Sequence, residues 1–248
     1  MINDFVKVLL FMSMLLSFSL AERVSAHYDV SYGVLGKIGI AKAILNKTQK
    51  TYSIDIHLEA TGLAKLLSNN RKERHLSKGH MKDGLMISDL YQVIKSYGDT
   101  VINKEYWIDH RKKKVIKKYE KYLKGKLVKK EINTLDFYAQ DDLLTLYFNL
   151  DTAIKDKTKA KRYIFKAIGA ERQKGKVTLI IPSKNKIQLY KKILGSDSAW
   201  YATAIIHQKI FSSKEGRLML GVAKDGITNK AVLKDVIFFG DIRAVRTK

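Results

Sequence analysis

The sequence predicts a mainly β protein: a curved antiparallel sheet (a meander, half-barrel or β-roll) with one or two short helices. Two observations carry that prediction. In residues 217–246, RLMLGVAKDGITNKAVLKDVIFFGDIRAVR, Leu218, Leu220 and Val222 alternate with other residues, and Lys224-Asp225-Gly226 is a turn signal. A longer run follows at 231–239, and Gly240-Asp241 turns the chain into 242–246. Period-two alternation broken by Asp-Gly and Gly-Asp is the pattern of an antiparallel meander. The second observation is Tyr52, Ile54, Ile56, Leu58 and Ala60, alternating with Ser53, Asp55, His57 and Glu59. A half-buried strand has this signature, and a sheet with one apolar face must bury it.

The remaining elements follow in order. Tyr28, Val30, Tyr32 and Val34 alternate with small and polar residues, Leu35-Gly36-Lys37 turns, and 38–45 returns as a second strand. Residues 61–68, TGLAKLLS, fit either one helical turn or a loop across the end of the sheet. Strands are expected at 73–81, 85–94 and 100–108, with turns at Lys82-Asp83-Gly84 and Ser96-Tyr97-Gly98-Asp99. The block 115–132, VIKKYEKYLKGKLVKKEI, fits a helical stripe or a hairpin turning at Lys124-Gly125-Lys126. Neighbouring strands favour the hairpin. A helix is expected over 136–150, capped by Asp141 or Asp142 and striped by Leu143, Leu144, Leu146, Tyr147 and Leu150. Strands at 162–168 and 177–181, a short helix at 186–194 and a strand at 199–209 complete the reading.

Composition adds an address and a charge. The chain has 248 residues, 46% of them hydrophobic, and a single proline, so one folded domain is expected, with no flexible linker. Residues 1–26 read as a secretory signal peptide and 27–248 as a periplasmic domain. A short polar start with Lys7 precedes the apolar run 8–20, and Val24-Ser25-Ala26 places small residues where a signal peptidase reads. Cleavage after Ala26 is the first choice and after Ala21 the second. The apolar run is shorter than the roughly 20 residues of a membrane span. The chain has no cysteine, which excludes disulfides, thiolate metal sites, a cysteine nucleophile and lipoprotein anchoring.

The formal net charge is +23, and residues 110–192 hold 24 basic against 8 acidic residues. The densest part is Arg111, Lys112, Lys113, Lys114, Lys117, Lys118, Lys121, Lys124, Lys126, Lys129 and Lys130, with Glu120 as the single acid among them. Lysine greatly outnumbers arginine, which favours a diffuse field over bidentate phosphate recognition.

Several short segments resemble an exported bacterial family known as domain of unknown function 3108 (DUF3108). They are YDVSYGVLGKIGIAKAIL from Tyr28, SKGHMKDGLMISDLYQV from Ser77, DDLLTLYFNL from Asp141 and GVAKDGITNKAVLKDVIFFGDIRAVR from Gly221. A departure is Asn229-Lys230, where family members often carry a proline after the Asp turn. The resemblance implies a periplasmic curved antiparallel sheet, and it supplies no catalytic residues.

Chemistry-bearing patterns are weak. His75 and His80 would face opposite sides of one strand, and two histidines without a third ligand are a poor zinc signal. His57, between two carboxylates, reads as a solvated cross-strand neighbour. The Asp141-Asp142 pair reads first as a helix cap and second as a general acid and base. Neither Ser77-Lys78-Gly79-His80 nor Ser196-Asp197-Ser198 sits in a nucleophile elbow, and no phosphate-binding loop occurs. No cofactor or metal is expected, and the sequence identifies no catalytic residue. The expected function is non-catalytic binding or scaffolding in the cell envelope. Its basic surface would suit anionic lipid, lipopolysaccharide or an acidic envelope protein, with peripheral membrane contact. A periplasmic enzyme whose site the sequence does not reveal is the alternative. Tyr119 and Tyr122 among lysines superficially suit nucleic acid, but an exported protein does not meet it.

Overall fold

The computed structural model describes residues 21–206, 216–236 and 240–248. Among them, the strands form one sheet in the order β8-β7-β6-β5-β4-β3-β2-β1-β15-β14-β13-β12-β11-β10-β9. The amino-terminal half is a plain meander: β1 (Glu22–Tyr32), β2 (Lys37–Lys47), β3 (Thr51–Ala60), β4 (Lys72–Lys82), β5 (Leu85–Tyr97), β6 (Thr100–Asp109), β7 (Lys114–Leu123) and β8 (Lys126–Thr134). The carboxy-terminal half contains the two-residue β9 (Asp141–Asp142), β10 (Lys161–Ile168), β11 (Lys176–Ile181), β12 (Trp200–Ile206), β13 (Gly216–Val222), β14 (Thr228–Val236) and β15 (Gly240–Arg246). The halves join where β1 pairs antiparallel with β15, Tyr28 opposite Arg246 and Tyr32 opposite Ile242. Every pairing is antiparallel except that of β9 with β10. The expected strand 231–239 runs past the described residues, as do the end of 199–209 and the apolar run 8–20.

Among the described residues, three short α-helices accompany the sheet: α1 (Gly62–Leu67), α2 (Leu143–Ala153) and α3 (Ile187–Leu194). α2 organises the interior. Its sequence LLTLYFNLDTA is apolar on nearly every side, the property of a helix surrounded by protein. One flank, Leu146 and Leu150, packs on Leu179, Ile181, Trp200, Ala202, Leu220 and Val222 of the carboxy-terminal strands. The other flank, Leu144 and Phe148, packs on Leu45, Tyr52, Ile54 and Met86 of the amino-terminal strands. The sheet curls around this helix because both of its halves bury their apolar face on it.

The helix begins later than expected. Residues 136–140 are not helical, because Leu135, Phe137, Tyr138 and Ala139 cover a cluster of Tyr91, Val93, Tyr106, Ile108, Val115 and Ile168. The chain turns helical only where Asp142, in extended conformation, accepts the free N–H groups of Leu144 and Thr145. The expected hairpin at Lys124-Gly125-Lys126 is present, and Lys124 and Gly125 both take the positive φ it needs. The curl is drawn together by side chains: Glu171, between β10 and β11, bonds the Lys117 amine at 2.5 Å and the Tyr106 hydroxyl. β8 is left as an edge strand, with every residue exposed.

β1 already begins at Glu22. The segment from Glu22 to Ala26 pairs residue by residue with Lys47 back to Ala43 on β2.

Candidate anion-binding surface

The strand register decides where the eleven basic residues go. Arg111, Lys112 and Lys113 lie in the β6–β7 turn, where Asp109 accepts from the Lys112 backbone N–H at 2.8 Å. Lys124 and Lys126 flank the β7–β8 turn. Along β7, buried Val115 marks the inner face, so Lys117 and Lys121 share that face while Lys114 and Lys118 point outward. On β8, Lys129 lies opposite Lys121 on the inner side, and Lys130 lies opposite Glu120 on the outer. The structure therefore does not bring the eleven together into one patch. It spreads them over two faces and both ends of a hairpin. Lys118 pairs with Glu120 at 2.9 Å and Lys129 with Glu131 at 2.8 Å, so part of the charge is met locally.

On the outer face, lysines alternate with exposed apolar side chains. Trp107 lies opposite Ile116, and Ile132 lies opposite Lys118. Trp107 is 41% exposed and Ile132 61%. Leu123, Leu127 and Val128 are also exposed at the β7–β8 turn. Lysine on an edge strand guards against edge-to-edge pairing, but that role does not call for exposed Trp, Ile and Leu beside it.

The inner face behind this hairpin is charged, a feature sequence reasoning missed because the charges come from five separate strands. Glu73, Lys95, Ile102, Lys121 and Lys129 form one cross-strand row. His75, Val93, Lys104, Tyr119 and Glu131 form the next. Burial disfavours charge on Glu73, but hydrogen bonds from His75, Lys95 and Arg71 outweigh it and hold the carboxyl well below its usual range. Lys104 has no ion pair among the described residues. Burial, then the neighbouring Lys117, pulls its amine below the usual lysine value.

The other candidates resolve into structural roles. Asp142 is wholly buried; one oxygen accepts from Leu144 and Thr145 backbone N–H, the other from Ser77, Ser88 and Thr145 hydroxyls at 2.5, 2.6 and 2.9 Å. This ties α2 to β4 and β5, and it occupies both carboxylate oxygens. Asp141 is pushed up to about 7 by burial and by Asp142 beside it. His75 faces inward on Glu73 and Tyr91, whereas His80 meets Asp89 on the other side of the strand. His57 sits 3.0 Å from Asp55 at the surface.

His80 also belongs to a chain that was not foreseen: His80 to Asp89 at 3.0 Å, Asp89 to His110 at 3.2 Å, and His110 to Tyr138 at 2.8 Å. A β-bulge creates it. Lys78 pairs with Leu90 and Gly79 with Ser88, leaving Asp89 as the extra residue, so that Ser88 turns to Asp142 and Asp89 to the histidines. The adjacent polar pair Ser88-Asp89 inside LMISDLYQV was the available signal. Among the described residues, no group of three or more His, Asp or Glu is arranged to hold a metal ion.

No family model and no curated protein sequence matches the chain. The described structure is similar to that of a beta-barrel-like protein of domain of unknown function DUF1849 from Brucella abortus. The two share 14% identity at a TM-score of 0.51, over 93% of this chain and 97% of that one. At that identity the likeness shows the fold alone, a mainly β, barrel-like curled sheet.

Proposed function

We propose that this is an exported, non-catalytic envelope protein that attaches peripherally to anionic lipid surfaces through the outer face of the β7–β8 hairpin. One observation carries the reading: exposed Trp107, Ile116 and Ile132 are interleaved with Lys114, Lys118 and Lys130 on one sheet edge. Apolar side chains that enter the headgroup layer beside cations that meet its phosphates are the two components of interfacial binding. Each lysine near an anionic surface contributes about 1 kcal/mol, so a few together give reversible attachment. Among the described residues no helix is long and apolar enough to cross a membrane. The apolar run 8–20 supports export.

The test uses the purified chain from Glu22 onward with phosphatidylglycerol-containing and pure phosphatidylcholine vesicles. Binding is expected only to the anionic vesicles, fading as salt shortens the screening length below about 8 Å. Changing Lys113, Lys114, Lys118 and Lys130 to Gln should remove the preference for anionic vesicles. Trp107→Ser with Ile132→Ser should weaken binding at every salt concentration. Equal binding to both vesicle types, or a preference untouched by the lysine changes, would leave the hairpin as a guarded sheet edge only.

A further inference from the structure

We infer that the outer face of the carboxy-terminal half carries a separate site for one lipid chain with an anionic head. α3 lies across this face, with Tyr190 and Leu194 packed on Tyr201, Met219 and Val232. It does not cover the face completely. Between α3 and β10–β13 runs a groove of about 860 Å³, within the roughly 300–1,000 Å³ of small-molecule sites.

The floor of the groove is apolar. Ile180 pairs with Thr203 and Thr203 with Met219 across neighbouring strands, and Ile205 lies one row along. Leu189 and Ile193 of α3 form the wall, and Leu189 stays 55% exposed. On the floor the Thr203 hydroxyl is bonded to the Tyr190 hydroxyl at 2.5 Å. A ligand lying on this floor therefore finds mainly apolar contact along its length.

The rim is cationic. Lys161, Arg162, Lys186, Arg217 and Lys234 line it, and among the described residues no carboxylate does. Lys234 is met by Asp241 at 2.7 Å. Arg162, Lys186 and Arg217 make no ion pair among the described residues. Register fixes two of them against the floor: Arg162 pairs with Ile180, and Arg217 lies opposite both Ile205 and Lys234. In a chain where lysine greatly outnumbers arginine, two arginines at one groove are notable for their chemistry. The guanidinium fork binds carboxylate or phosphate bidentately, which a lysine cannot do. A mainly apolar floor, ending in guanidinium groups that have no ion pair among the described residues, is complementary to an alkyl chain with an anionic end. A peptide or a sugar would leave its amide or hydroxyl groups unmet on this floor.

The site lies on β10–β14, apart from the β7–β8 hairpin, and does not depend on membrane attachment. Oleate is the probe, with oleyl alcohol as the same chain without charge and inorganic phosphate as a head without a chain. Isothermal titration of the purified chain should show saturable binding of one oleate per protein. The affinity should be roughly tenfold or more above that for oleyl alcohol, with no competition from phosphate. Arg162→Gln with Arg217→Gln should lower oleate affinity roughly tenfold and leave oleyl alcohol unchanged. Leu189→Glu, at an exposed position, should weaken both. The lysine-to-Gln hairpin variant should bind oleate as the unaltered chain does. Absence of saturable oleate binding, equal affinity for the alcohol, displacement by phosphate, or affinity unchanged by either groove variant would each overturn the assignment.

Discussion

The Ser88 hydroxyl donates to Asp142 Oδ2 at 2.6 Å, joining the bulge of β5 to the first turn of α2. Ser77 and Thr145 donate to the same oxygen, and the Tyr52 hydroxyl lies 2.7 Å from Thr145 Oγ1. These contacts fix how the central helix enters the curl. Asp142→Ala removes a helix cap and leaves three buried hydroxyls short of an acceptor, so a loss of about 3 kcal/mol or more is expected. Urea unfolding measures it. A loss below about 1 kcal/mol, the size of an ordinary exposed cap, would mean that the cluster does not hold α2 in place.

Asp141 predicts a pH dependence of opposite sign to that of a paired carboxylate. Burial and Asp142 raise it from 3.8 to about 7 in the folded chain. Between those values the folded state holds a proton that the unfolded state has lost, so stability falls as pH rises through this window. Above it both states are charged and the folded one bears the full penalty. Asp141→Asn should therefore stabilise the protein by up to about 4 kcal/mol at pH 8, and the gain should vanish below about pH 4, near the unfolded value. Thermal melts at both pH values decide it; a gain independent of pH would show that the carboxylate is not held out of water.

Gly79 and Gly84, five positions apart in sequence, separate close packing from backbone freedom. A Cβ at Gly79 would lie 1.9 Å from the Ile87 carbonyl oxygen and 2.9 Å from the Tyr52 ring, whereas one at Gly84 meets nothing within 4 Å. Gly84 holds φ +77°, so alanine there costs only the left-handed strain of about 1 kcal/mol. Gly79→Ala must displace backbone at the bulge and should cost clearly more. Equal melting temperatures for the two variants would contradict this packing.

Much of the sheet was legible because one of its faces meets solvent. Alternation such as that of Tyr52 to Ala60 survives only where inside and outside differ, and the Gly and Asp turns then mark the strand ends. The apolar pattern extends α2 too far toward its start because Phe137 and Ala139 are apolar for another reason: they cover a cluster built from β5, β6, β7 and β10. The basic segment was legible as composition but not as a surface. Local sequence places Lys117 beside Lys118, and only the pleat sends one to Glu171 and the other to Glu120. The inner lysine rows and the groove under α3 assemble from strands distant in sequence, so no window of sequence contains them.

The last prediction concerns the amino end. If the leader were cut after Ala26, the strand segment from Glu22 to Ala26 would leave with it. That segment is part of the sheet: Glu22 pairs with Lys47 in register and by an ion pair at 2.7 Å. Val24 packs on the cluster of Leu45, Tyr52, Ile54 and Met86. Ala26 is 2% exposed opposite Ala43. Removing it would leave the end of β2 without its β1 partner and uncover part of that cluster, at a cost of roughly 2 kcal/mol from Val24 and Ala26 alone. Ser19-Leu20-Ala21 offers a peptidase small residues at the same two positions as Val24-Ser25-Ala26. With the export proposed above, the protein is therefore expected to begin at Glu22, and a chain starting at His27 should melt at a lower temperature than one starting at Glu22. Amino-terminal sequencing of the exported material gives the answer. A start at His27 would overturn the position of the cut while keeping export, and a start at Met1 would overturn export itself.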